Sequence, residues 1–120
     1  MPSPRQQFGA WAEDAASQFL RQKGYEVLDR HVTSRHGEID LVAKDHDTIV
    51  FVEVKARRNQ SFGQAAESVT KTKLKRLRLA IEDYLSKMQW QDREVRIDLV
   101  TVEQKKDGAH KVSHLQGISL

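Results

Sequence analysis

Two carboxylates and a lysine stand inside apolar runs where a small protein would gain more from extra core. In "GEIDLVAKDHDTIVFVEVKARR", Gly37 to Arg58, Asp40 interrupts the first run, and Glu53 and Lys55 interrupt the second. Side chains on a strand alternate between faces. Ile39, Leu41 and Ala43 therefore share one face of the first strand, and Glu38, Asp40 and Val42 share the other. On the second strand Val50, Val52 and Val54 oppose Phe51, Glu53 and Lys55. A hairpin turning over Asp45 to Thr48 pairs the two wholly apolar faces. That places Asp40, Glu53 and Lys55 on one side of the sheet.

Carboxylates held together repel, and partial burial raises the cost. A cation has to stand between them. Lys55 is one candidate and a bound divalent metal is the other, because hard cations such as Mg²⁺ take carboxylate, water and phosphate oxygens. Lys55 would then lie beside the metal, where it could position or deprotonate an attacking water. Glu13 sits on the flank of an apolar helix stripe, within reach of the same acidic face over the sheet edge. The competing reading is a part-buried ion-pair network that only fixes sheet register. Glu38 shares the acidic face but, as the first residue of its strand, is expected to point to water.

A second charged group is "KTKLKRLR", in which Lys71, Lys73, Lys75, Arg76 and Arg78 surround Leu74 and Leu77. Such runs are commonly solvated helix faces. Alternatively they form a phosphate-contacting stripe, extended by Arg57 and Arg58 just past the acidic strand. The histidines are scattered. His110 and His114 fall in a segment read as strand, as surface or turn residues, and no zinc motif is present. No phosphate-binding glycine loop, dinucleotide fingerprint or nucleophile elbow occurs, so nucleotide-driven and acyl-transfer chemistry have no support.

The elements that must position these groups follow from caps and periodicity. "SPRQ" predicts a helix capped by Ser3, with Pro4 in its first turn and Gln6 reaching back. Its apolar face is Phe8, Trp11, Ala12, Ala15, Ala16, Phe19 and Leu20, and it stops at Gly24. A strand "YEVLDRHV" precedes the acidic pair of strands. A second helix is expected from about Ala65 to Met88 with a break near Thr70, burying Leu74, Leu77, Ile81, Tyr84, Leu85 and Met88. "EVRIDLVTVE" and "HKVSHLQGIS" close the chain as strands around the turn "KKDGA". "RIDLV" echoes "EIDLV", which at five residues is read as chance. The order α-β-β-β-α-β-β predicts a twisted mixed sheet flanked by helices.

At 120 residues the chain fits a single domain, 1–120, with residues 1 to about 5 as a flexible tail. The absence of cysteine excludes disulfides and thiolate chemistry and points to a cytoplasmic setting. No apolar run is long enough for a membrane span, and the N-terminus lacks the apolar core of a secretory signal. Lys+Arg 20 against Asp+Glu 17 leaves a net charge of +3, which permits a polyanionic partner without requiring one.

Together these residues carry a resemblance. "Asp40…Glu53-Val54-Lys55", with an acid on a preceding helix, resembles the PD-(D/E)XK nuclease superfamily. More closely, the chain resembles the YraN-like family of small bacterial proteins, related to archaeal Holliday junction resolvases. The matching pieces are "FGAWAEDAA", "GYEVLDR", "GEIDLVA", "IVFVEVKAR", "FGQAAESV", Lys73 and "RIDLV", in family order along nearly the whole chain. The resemblance implies a restriction-endonuclease-like fold and an Mg²⁺- or Mn²⁺-dependent nuclease acting on nucleic acid, DNA ahead of RNA, including branched or junction DNA. It implies Glu13, Asp40 and Glu53 as acidic site residues, the Val54 backbone carbonyl as a further metal ligand, and Lys55 as the catalytic lysine. It also raises Lys73 among the nucleic-acid contacts, and by analogy with the resolvases it implies a homodimer. The chain departs from the family pattern at "DRHVTSRHGEID", with His31 and Thr33 where an Asn and a further basic residue are expected. The alternative is a nucleic-acid-binding or assembly protein that keeps the fold with little or no hydrolysis.

Overall fold

The computed structural model describes residues 1–58 and 70–118. Helix α1, Pro4–Gln22, begins with the reciprocal cap that its sequence predicts. The Ser3 side chain accepts from the Gln6 N–H at 3.1 Å, and the Gln6 side chain accepts from the Ser3 N–H at 2.8 Å. Pro4 and Arg5 are thus already helical, although a tail was expected there. The helix ends at Lys23, and Gly24 takes the left-handed φ of +96° that releases the chain into the sheet.

Strands β1 (Glu26–Ser34), β2 (Gly37–Asp45) and β3 (Thr48–Arg58) follow, then α2 (Lys71–Met88), β4 (Val95–Gln104) and β5 (His110–Leu115). The sheet order is β1-β2-β3-β4-β5. Only the β3–β4 pair is parallel. A parallel pair needs a crossover, and α2 lies on it. The expected mixed sheet flanked by helices is therefore observed. Helix α2 starts at Lys71, where the Thr70 hydroxyl accepts from the Lys73 N–H at 3.2 Å. The helical stretch expected from Ala65 to Val69, and the matching piece "FGQAAESV", lie outside the described residues.

Each face of the sheet carries one helix. On one side Ala12, Ala16 and Leu20 pack on Leu41, Ala43, Val50, Val52, Val100 and Val102. On the other, Leu74, Leu77, Ala80, Ile81 and Tyr84 pack on Val42, Ile49 and Phe51. Ile49, Val50, Phe51 and Val52 have no exposed surface, as a central strand covered on both faces requires. Phe51 meets Tyr84 edge to face at 5.8 Å, and truncating so buried a ring costs about 3–5 kcal/mol.

Three packing expectations need correction. Met88, the last residue of α2, is exposed, and Ala80 joins the buried stripe. Phe8 is only half-buried, and the sheet-facing side of α1 is turned toward Glu13 and Ser17, both buried. Ile39 packs with the α2 layer, away from Leu41 and Ala43. The last departure marks a break in the strand alternation, and it falls beside Asp40.

Candidate functional site

The β2–β3 ladder runs from Asp45↔Thr48 to Leu41↔Val52 and stops one residue short of Asp40 and Glu53. In place of a further backbone pair, the Asp40 carboxylate accepts from the Val54 N–H at 2.8 Å. The two strands fork here. A strand residue directs its N–H and C=O to the same side, so the Val54 carbonyl is turned to the same fork. Across β2, Arg30 pairs with Leu41 and Val32 with Ile39, leaving His31 opposite Asp40. His31 has φ +52°, a left-handed conformation that His and Asn adopt more readily than most residues. This gives a physical reason for the Asn expected at that position, since either residue relieves the same constraint.

Charge at the fork is crowded. Burial and then the neighbouring Asp40 push the Glu53 carboxyl up to about 7, although Lys55 and Lys73 pull it back in part. Asp40 is also raised, first by burial, with the Val54 N–H working against the shift. Both carboxyls are thus shifted toward their protonated forms, and the charge of Asp40 contributes to the shift of Glu53. Lys55 Nζ lies 3.8 Å from Glu53 Oε1, and burial followed by a hydrogen bond with Lys73 holds its pKa below the ordinary lysine value. Two carboxylates and two lysines therefore meet within one cluster.

Glu13 approaches from α1 and is 7% exposed. Burial and the charge of Asp40 raise its pKa. His31 Nε2 is 2.7 Å from Glu13 Oε1, yet that oxygen has no aligned hydrogen-bond donor. The other ring nitrogen of His31 lies 3.0 Å from Glu38, whose hydrogen bond is the largest influence raising the His31 pKa. Glu38, expected to point only to water, thus holds a residue of the site. Among the nucleic-acid candidates on α2, Lys71, Lys73, Lys75, Arg76 and Arg78 are all exposed, and Lys73 also interacts with Glu53 and Lys55. Arg57 and Arg58 end β3.

Sequence reasoning missed a second polar centre. Asp98 has no exposed surface and receives Arg96 Nε at 2.9 Å, His114 Nε2 at 2.7 Å and the Gly117 N–H at 3.0 Å. His114, read as a surface or turn residue, has a side chain only 3% exposed. The parity argument applied to Asp40 would have found Asp98, which interrupts "RIDLV" in the same way with Arg96 on its own face.

Among the described residues no group of three or more His, Asp and Glu side chains is gathered to hold a metal ion. Asp40 and Glu53 together with a backbone carbonyl are a different donor set, and its chemistry fits a hard divalent cation. Two carboxyls whose charged forms are both disfavoured, first by burial, would be relieved by such a cation. The undonated Oε1 of Glu13 adds a further oxygen nearby, outside the pair itself.

Comparison with known proteins places these residues in a wider group. The chain is 44% identical over 110 residues to the UPF0102 protein of Beutenbergia cavernae, covering 92% of this chain and 93% of that one. The UPF0102 protein of Syntrophomonas wolfei subsp. wolfei is 41% identical over 109 residues, with 91% and 94% covered. That of Carboxydothermus hydrogenoformans is 39% identical over 114 residues, with 95% and 96% covered. Among solved structures, the Ca²⁺ complex of Pyrococcus furiosus SfsA aligns at a TM-score of 0.38 and 12% identity, covering 97% of this chain and 65% of that one. The family model described as "Uncharacterised protein family UPF0102" matches residues 12–102, a span that contains Glu13, Asp40, Glu53, Lys55 and Asp98. The chain belongs to that family.

Proposed function

We propose that the protein is an Mg²⁺- or Mn²⁺-dependent nuclease that hydrolyses phosphodiester bonds in DNA, branched DNA included, and that its mixed sheet is of the restriction-endonuclease-like kind. On this reading its family is the YraN-like group, and a homodimer is the working assembly. One observation carries the proposal: at the fork where the β2–β3 ladder ends, Asp40 accepts from the Val54 N–H, Glu53 lies beside it with a raised pKa, and Lys55 stands 3.8 Å from Glu53. Asp40, Glu53 and the Val54 carbonyl would hold the metal, with Glu13 to one side. When bound, the metal neutralises phosphate charge and acidifies water.

The chain's own residues supply the rest. Lys55, with its pKa lowered by burial, can orient the attacking water and donate to a phosphate oxygen as charge builds there. Lys73 adds a second cation on the phosphate side of the same cluster. The water adds to phosphorus, one P–O ester bond breaks, and the departing oxygen takes up a proton.

The test joins stability to cleavage. Millimolar Mn²⁺ should raise the melting temperature of the wild type by mass action, and Asp40→Asn should abolish the rise. Lys55→Ala should keep the rise but lose cleavage of branched and duplex DNA by ~100-fold or more, because the work assigned to it lies in the transition state. A melting curve indifferent to Mn²⁺ would return the cluster to the ion-pair reading. Wild-type cleavage by Lys55→Ala would remove that lysine from the mechanism.

A further inference from the structure

Beyond the fork, β3 continues to Arg58 and runs parallel to β4, whose last residue, Gln104, is its register partner. The turn from β4 to β5 then brings Lys105 and Lys106 to the same end of the sheet. Arg58, Gln104, Lys105, Lys106 and Gly108 line a groove there of about 400 Å³. The walls are built, not merely exposed. The Arg58 guanidinium lies 4.0 Å over the Phe8 ring, which stacks on Trp11, and it donates to the Gln104 side chain at 2.9 Å. Its plane is fixed by an aromatic floor and a lateral hydrogen bond.

The turn is fixed as well. Lys105 N–H donates to the Ala109 carbonyl at 2.8 Å, and Gly108 supplies the required φ of +89°. The one acid in the turn, Asp107, turns its carboxylate onto the Ala109 N–H at 3.0 Å. No ion pair is formed by Lys105 or Lys106 among the described residues.

We propose that this groove holds the phosphate backbone of a nucleic-acid strand, with Arg58, Lys105 and Lys106 as its contacts. The oriented Arg58 guanidinium and the two lysine ammonium groups set three positive charges along one groove, as a phosphate backbone requires. Arg58 lies three residues past Lys55 and so, by strand alternation, on the opposite face of β3, the one that α1 covers through Phe8. The groove is therefore a separate contact surface, and binding there does not rest on reading the fork as a phosphodiester site.

The experiment is fluorescence anisotropy of a labelled, mixed-sequence DNA strand across a salt series without divalent metal. Each phosphate contact on a single strand contributes ~0.7 to the log–log salt slope. Lys105→Ala/Lys106→Ala should therefore lower the slope by ~1.4. The control removes two exposed charges elsewhere, Arg21→Ala/Lys87→Ala, and should leave the slope unchanged. Arg58→Lys keeps the charge but not the plane, and should weaken binding several-fold at an unchanged slope. Equal slopes for the wild type and the Lys105/Lys106 variant would overturn the proposal. So would an equal fall in the control, since net charge alone would then explain it, and so would a wild type that does not bind at low salt. Hydrolysis of bis(4-nitrophenyl) phosphate in Mn²⁺ separates this proposal from the preceding one. A wild type inactive on that ester while the slope result holds would remove the phosphodiesterase reading and keep the groove.

Discussion

Glu53 keeps its carboxyl where the protonated form is favoured, and that has a thermodynamic signature. Its folded pKa of about 7 lies above the ordinary 4.5, so the folded state binds the proton more tightly than the unfolded chain does. The resulting penalty is absent below pH ~4.5, grows as pH rises toward 7, and is constant above that. A shift of this size corresponds to roughly 3 kcal/mol. Glu53→Gln has no proton to lose. Its stability relative to wild type should rise by about 2–3 kcal/mol between pH 5 and pH 8, measured by urea denaturation without metal. Saturating Mn²⁺ should shrink that gap, since a bound cation relieves the same charge in the wild type. A gap independent of pH would mean that Glu53 ionises as an ordinary surface carboxylate.

Between elements, the caps were legible and the fork was not. The Ser3–Gln6 cap of α1 and the Thr70 start of α2 are local hydrogen bonds, written into a few adjacent residues. Strand parity drew Asp40, Glu53 and Lys55 to one side, but the alternation breaks beside Asp40, so parity alone does not account for their meeting. The early end of the β2–β3 ladder, the crossing of Ile39 to the other layer and the left-handed His31 depend on how three strands settle together, which no single strand encodes. The Asp98 centre was hidden for a similar reason. His114 stands opposite Val100, two residues along from Asp98, and only that register brings its ring onto the carboxylate. Lys23, at the end of α1, lies 2.8 Å from the other ring nitrogen, so the centre ties helix, central sheet and last strand together. Burial alone would raise the Asp98 pKa, but bonds from Arg96, His114 and Gly117 overcome it and hold the carboxyl below 3.8. Its stabilisation is thus present at neutral pH and persists until the pH falls below that value. Asp98→Asn would leave Arg96 and His114 facing a neutral group, and should cost about 3 kcal/mol in urea denaturation at pH 7. A loss under ~1 kcal/mol would mean that apolar packing alone holds β5 in place.

Across the whole molecule, a net charge of +3 is too small to draw a polyanion by itself, so the placement of the bases decides. No described helix is long and apolar enough to cross a membrane. On α2 the sequence offered Lys71, Lys73, Lys75, Arg76 and Arg78 as one phosphate stripe, with Lys73 raised above the rest only through the family resemblance. At ~100° per residue they are not equivalent. Taking the buried stripe of Leu74, Leu77, Ala80, Ile81 and Tyr84 as centre, Lys73 lies ~40° away, Arg76 and Arg78 ~100° to opposite sides, and Lys75 ~160° away. Lys73 is also in the first turn, where the helix overhangs the fork and touches the charges of Glu53 and Lys55. Single neutralisations should therefore divide. Lys73→Ala should lower the log–log salt slope for DNA by up to ~1 and reduce cleavage in Mn²⁺, because it contacts phosphate at the reacting centre. Lys75→Ala should change neither, and its effect on stability should stay within ~0.5 kcal/mol, as for an exposed charge outside any network. Arg76 and Arg78 face opposite flanks, so one continuous backbone can engage only one of them, and only one variant should move the slope. The readout is anisotropy of labelled DNA in Ca²⁺, to suppress cleavage, across a range of salt. Equal slopes lost by all four variants would restore the single stripe and require the nucleic acid to wrap the helix. Unchanged binding by Lys73→Ala would confine that residue to its charge contacts within the fork and leave the β3–β4 end of the sheet to carry the strand.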